Sequence, residues 1–151
     1  MTQQNKPLIT IRPADHRISR QVPGQWELEV LWRFENRVGV PLYVLIAQPL
    51  TIRIAEPLIL DHSSSGVARQ VDPNYDPGFS IATIPPSGVV ERRLTYRLAM
   101  PDSIKQAMVI GRFGYSDSSP DPAWEKTKNW VQVAAWQKIA DSESLPVVFN
   151  P

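Results

Sequence analysis

The residues best suited to chemistry gather in one seven-residue stretch, Asp72-Pro73-Asn74-Tyr75-Asp76-Pro77-Gly78, where oxygen-bearing side chains stand at alternate positions. A calcium-binding loop starts its coordination sphere in this way. The pattern then departs from that design. Its sixth position is Pro77, where glycine makes the sharp turn, and its twelfth is Thr83, where a bidentate glutamate closes the sphere. The stretch is therefore expected to be a proline-stiffened turn in which Asp and Asn side chains bond to nearby backbone, with no metal bound. His16 and His62 are the only histidines and there is no cysteine, so no set of zinc ligands stands at ligand spacing. Ser63, Ser64 and Ser65 lie in a polar loop without the strand–elbow–helix context that activates a serine nucleophile. No nucleophile, base and orienting group can be assembled, and neither an enzyme nor a cofactor is expected.

Loop aromatics give a second kind of chemistry, which is recognition. Trp124 falls in a thirteen-residue loop, 116–128, rich in Ser, Asp and Pro, and Tyr75 falls in the 72–78 loop. Such side chains bury large area at low entropic cost and often anchor a partner. Trp124 has an equally physical alternative use, as a plug folded back over the end of its own domain. The expected contact surface comprises Trp124, Tyr75, Asp121, Pro122, Val38 and Ser87, and of their loops the 36–41, 85–88 and 116–128 connections are expected to gather at one end of the fold. Stacking of a small ligand or carbohydrate on Trp124 and Tyr75 is one alternative use. Inhibition of a proteinase by loops stiffened with Pro73, Pro77, Pro120 and Pro122 is another.

The elements that must hold these loops are strands. In residues 25–38, Trp26, Leu28, Val30, Trp32 and Phe34 alternate with Glu27, Glu29, Leu31, Arg33 and Glu35. A period of two, apolar on one face and mostly charged on the other, is that of a half-buried strand. Residues 42–47 form a nearly continuous apolar run, consistent with burial on both faces. Further strands are expected at 8–11, ending at Pro13, at 18–22, 50–54, 58–60, 67–71, 79–84, 89–100 and 107–115, with 58–60 and 67–71 joined as a hairpin. Residues 129–139 alternate Trp130, Ala134 and Trp136 against Val131, Val133, Ala135 and Ile139, which favours a two-sided strand. A helix with Asp121 as its cap and Pro122 at its first position is the competing reading.

About eight or nine short strands in 151 residues, punctuated by fifteen prolines, indicate an all-β fold, an antiparallel immunoglobulin-like β-sandwich. Residues 25–38 take the place of strand B, 42–47 of C, 89–100 of E, 107–115 of F and 129–139 of G. Glu27, Glu29 and Glu35 should then face Arg93 and Arg97 across one outer surface. The single domain is expected over 7–140, with residues 1–6 a loose arm and 141–151 a tail. Within the tail, Leu145, Val147, Val148 and Phe149 are apolar enough to dock as a short edge strand, on their own domain first and on a second copy as the alternative. That alternative would make a homo-oligomer through the tail.

Composition narrows the partners. A net charge of +1 offers no field to draw nucleic acid or an anionic membrane. The polar residues 1–6 lack a signal-peptide core, and the longest apolar run, 42–47, is far too short to span a bilayer. The chain reads as a cytoplasmic interaction module that binds a protein through end loops or an exposed sheet edge.

Overall fold

The alternating apolar side chains of residues 25–38 become the axis of the molecule. In the computed structural model, which describes residues 8–47, 52–56, 58–60, 69–70, 79–99, 105–127 and 130–149, they form β2 (Gln25–Asn36). Trp26, Leu28, Val30, Trp32 and Phe34 are all buried, and the charged residues between them are not. One sheet runs β1–β2–β8–β6, where β1 is Ile9–Val22, β8 is Val89–Ala99 and β6 is Arg69–Gln70. The second is organised along β9 (Gln106–Ser116). On one side of β9 lie β3 (Leu42–Ala47) and then β4 (Ile52–Glu56), paired in turn with Tyr115 and Gly111. Beyond them are β7 (Phe79–Ile84), paired with β3, and β5 (Leu58–Leu60), paired with β4. The other side of β9 carries β10 (Lys138–Asp141) and then β11 (Leu145–Val148).

These pairings make an antiparallel immunoglobulin-like β-sandwich. β2 lies beside β8 in one sheet, and β9 lies between β3 and β10 in the other, the B–E and C–F–G neighbours of that architecture. Eleven strand segments are described, rather than eight or nine. The excess arises because β3 with β4, and β10 with β11, are each one line of backbone along β9 in two pieces.

The core between the sheets is built around Trp32. Its ring is fully buried, meets Phe113 edge to face at 5.4 Å, and donates from Nε1 to the Tyr96 hydroxyl at 2.9 Å. That hydrogen bond satisfies the indole N–H, which would otherwise be costly to bury. Position 111 on the facing strand must be glycine for this packing, since a Cβ there would stand 2.6 Å from the Trp32 ring. At the other end of β2, Trp26 meets Phe149 edge to face at 5.2 Å.

Several sequence expectations are corrected. Pro13 does not end the first strand. β1 continues through a register shift between Pro13 and Asp15, which an edge strand tolerates because one of its sides has no ladder. Residues 58–60 and 69–70 do not pair as a hairpin, because β5 pairs with β4 in one sheet and β6 with β8 in the other, and the rest of the 67–71 segment lies outside the described residues. The ordered sheet runs past residue 140. There β11 (Leu145–Val148) pairs with β9 of its own chain, the first of the two dockings expected for this segment, and Leu145, Val147 and Phe149 lie in the main core.

The two-sided strand expected over 129–139 is not found where those residues are described, except at its end. α2 (Trp130–Trp136) is a helix, and only Lys138–Asp141 pairs with β9. The outer face of β3 supplies the reason. Leu45 points away from the main core and is nonetheless 5% exposed, covered by Val133 together with Trp124 and Trp136. A helix brings Val133 and Trp136, three apart, onto one face, and burial there outweighs the strand preference of Trp and Val. No helix among the described residues is long and apolar enough to cross a membrane.

Candidate functional site

Asn36, the last residue of β2, is a polar side chain only 4% exposed, and its amide organises two loops. Nδ2 lies 2.7 Å from the Val40 carbonyl, 3.0 Å from that of Pro85 and 3.2 Å from that of Ile84. Oδ1 accepts from the Val38 backbone N–H at 2.9 Å. The Asn36 backbone N–H donates to the Gly88 carbonyl at 2.9 Å, and the Ser87 N–H donates to the Val38 carbonyl at 3.0 Å. One buried carboxamide thus uses both its donors and its acceptor to join the 36–41 connection to the 85–88 connection.

The second connection is a tight turn. Gly88 N–H donates to the Pro85 carbonyl at 2.9 Å, with Pro86 and Ser87 at the two central positions. Pro86 presets its own backbone for the first of these. Ser87 then takes φ of +55°, the left-handed region that favours glycine or asparagine. A serine held there stores on the order of 1 kcal/mol of strain, which the surrounding hydrogen bonds sustain.

Around this brace the surface is apolar and projecting. Val40 is 49% exposed and Val89 43%, and Pro41, Pro85 and Pro86 are exposed beside them. Val38 is half-buried and packs against the main core, which roots the tip in the sandwich. Arg37 stands at the rim, with a guanidinium nitrogen 3.2 Å from Thr10 Oγ1. The tip thus presents exposed apolar side chains on backbone that is braced from below.

The structure divides the sequence-derived contact residues. Val38 and Ser87 meet directly, through the backbone hydrogen bond already described. Tyr75 and the calcium-like 72–78 stretch lie outside the described residues. The 116–128 connection does leave from the same end, because Ser116 pairs with Tyr43 at the start of β3. It then folds back over the outer face of the second sheet. Asp121 caps α1 (Ala123–Thr127), accepting from the Ala123 N–H at Oδ1, 2.9 Å away, with Pro122 between them. Trp124 is half-buried and packs edge to face on Trp136 with ring centroids 6.1 Å apart. Glu125 Oε1 accepts the outward N–H of Ile81 at 2.7 Å, capping the exposed edge of β7, and Trp136 Nε1 donates to the Ser118 carbonyl at 2.7 Å. Trp124, Asp121 and Pro122 therefore belong to a helical lid, with Trp124 its plug.

Sequence reasoning missed Asn36. Its only signal was a short polar residue where an apolar alternation stops, a position that often turns the chain through its own side chain. Two connections forty-eight residues apart give no local pattern that would announce their joining.

Comparison with known proteins adds likeness without identity. No family model matches the chain, and no curated protein matches it. It is similar to the solved structural-genomics target SoR45, with a TM-score of 0.49 at 10% identity, covering 94% of this chain and 87% of that one. It is also similar to WR4, an MSP family member of C. elegans, with a TM-score of 0.36 at 9% identity, covering 95% and 98% of the two chains.

Proposed function

We propose that the chain is a non-enzymatic protein-interaction module whose recognition surface is the loop tip braced by Asn36. The observation that carries this reading is the buried Asn36 amide, bonded to both loops, beneath exposed Val40, Val89 and three prolines. Loops ordered before a partner arrives lose little conformational freedom on docking, so most of the contact energy is kept as affinity. The strained Ser87 points the same way, because strain persists where the surroundings over-determine it and is concentrated at binding sites. A projecting apolar tip fits a concave apolar groove on a protein. A net charge of +1 gives nucleic acid or an anionic membrane no comparable handle. The absence of cysteine suits the reducing cytoplasm, where we place the protein.

The test is site-specific crosslinking in extract of the source organism, with a photoreactive phenylalanine analogue at position 40, and at position 131 as control. Val131 is 79% exposed on the lid, so both positions accept the probe equally. The expected result is one discrete adduct from position 40 and none from position 131. Equal or absent adducts at both positions would overturn the reading.

A further inference from the structure

The end strands of the two sheets are protected in different ways. β1, at the end of the first sheet, carries its own defences: Pro13, the register shift beside it, and the exposed charges of Arg12, Asp15 and Arg17. β7, at the end of the second sheet beside β3, has none of these. Its six residues, Phe79-Ser80-Ile81-Ala82-Thr83-Ile84, include no charge, proline or glycine. An uncharged run of this length and β-propensity pairs readily with a copy of itself when its edge is open.

Backbone alternation shows where that edge is open and where it is closed. β7 pairs with β3 in unbroken register from Ile84 opposite Leu42 to Phe79 opposite Ala47, so its polar groups turn alternately to β3 and away from it. The Ile81 N–H is turned away, since it donates to Glu125 Oε1 at 2.7 Å. Phe79 and Thr83, two residues to either side, therefore also turn their backbone groups outward. No strand lies beyond β7 among the described residues. Ile81 is the middle of the three outward residues, so the carboxylate takes the donor that an added strand would need at its centre. Glu125 is itself exposed, and α1 holds it in place through the Asp121 cap and the contact of Trp124 with Trp136. A residue forty-four positions away thus does for β7 what β1 does for itself.

We infer that Glu125 is an edge guard, which keeps β7 from pairing with β7 of a second copy of this chain. The second copy is the occupant because the segment matches itself. In an antiparallel pair about a two-fold axis, Ile81 stands opposite Ile81 and Phe79 opposite Thr83. Each outward N–H then meets an outward C=O, and no like charges are opposed. Withdrawal of α1 from β7 opens the edge and joins the second sheets of two copies into one. The guard stands or falls without the loop tip.

The test is sedimentation equilibrium of the full chain and its variants across a range of concentrations, with amide exchange on the same samples. Glu125→Ala, at an exposed position, should dimerise with a Kd at least about tenfold lower than that of the parent. Glu125→Gln keeps an oxygen for the Ile81 N–H and should behave as the parent does. Thr83→Lys, also at an exposed side chain, sets a lysine on the shared edge and should reverse the effect of Glu125→Ala. The Thr83 amide should exchange fast in the parent and slowly in the Glu125→Ala dimer. A Glu125→Ala chain that pairs no more readily than the parent would overturn the inference. So would a dimer that survives Thr83→Lys or leaves the Thr83 amide fast, since its contact would lie elsewhere. Glu125→Gln pairing as strongly as Glu125→Ala would replace the hydrogen-bonded guard by charge repulsion and overturn it too.

Discussion

Two clusters of aromatic side chains sit on opposite faces of the second sheet, and they do different work. Between the sheets, Trp32 is sealed against Phe113, Tyr96 and the bare backbone of Gly111. Outside, Trp124 and Trp136 lie half-exposed over Leu45 and Val133, held by two short helices. The inner cluster is made by strands that many long-range pairings oblige to meet. The outer one is a cover, pinned through Glu125 and the Trp136 indole N–H. A tryptophan in a long polar loop can therefore be completing the fold, and an asparagine at a strand end can be building the exposed surface.

Removing β11 gives the largest expected effect. Truncation after Ser144 deletes Leu145, Val147 and Phe149 from the main core, at a cost on the order of 5 kcal/mol. A thermal melt with light scattering should show a much lower Tm at unchanged mass. A fall in mass at unchanged Tm would show instead that the strand belongs to a subunit contact. Trp32→Ala comes next, at about 3–5 kcal/mol by denaturant titration, since the indole is fully enclosed. Gly111→Ala should cost about 1–3 kcal/mol, because the new methyl group meets a ring that cannot retreat. Trp124→Ala should cost only about 1–2 kcal/mol, in keeping with its partial burial, and should leave partner binding unchanged. If Trp124→Ala matched Trp32→Ala in stability, the lid would be core and the contrast between the two clusters would fail.

How far the sequence revealed this follows from the range of the interactions. Alternation along Trp26 to Phe34 shows a buried face within one segment, and it led directly to β2, β8 and the sandwich. The pairing of Glu29 with Arg93, 2.7 Å apart, was legible once those two strands were neighbours. The lid was not legible, because Trp130 to Trp136 has strand-like composition and becomes helical only over Leu45 on a distant strand. The geometry of the candidate site was half legible. Val38 and Ser87 followed from the gathering of end loops, whereas the Asn36 brace depends on carbonyls at positions 40, 84 and 85 brought in by β7.

The central claim is that the loop tip is rigid before any partner binds, and native-state amide exchange measures it directly. The Val38 and Ser87 amides, bonded to Asn36 Oδ1 and the Val38 carbonyl, should exchange as slowly as amides of the flanking strands. Asn36→Ala should release both while the β2 interior stays protected, with a global cost of about 1–3 kcal/mol. Fast exchange at Val38 and Ser87 in the parent protein, unchanged by Asn36→Ala, would contradict the account.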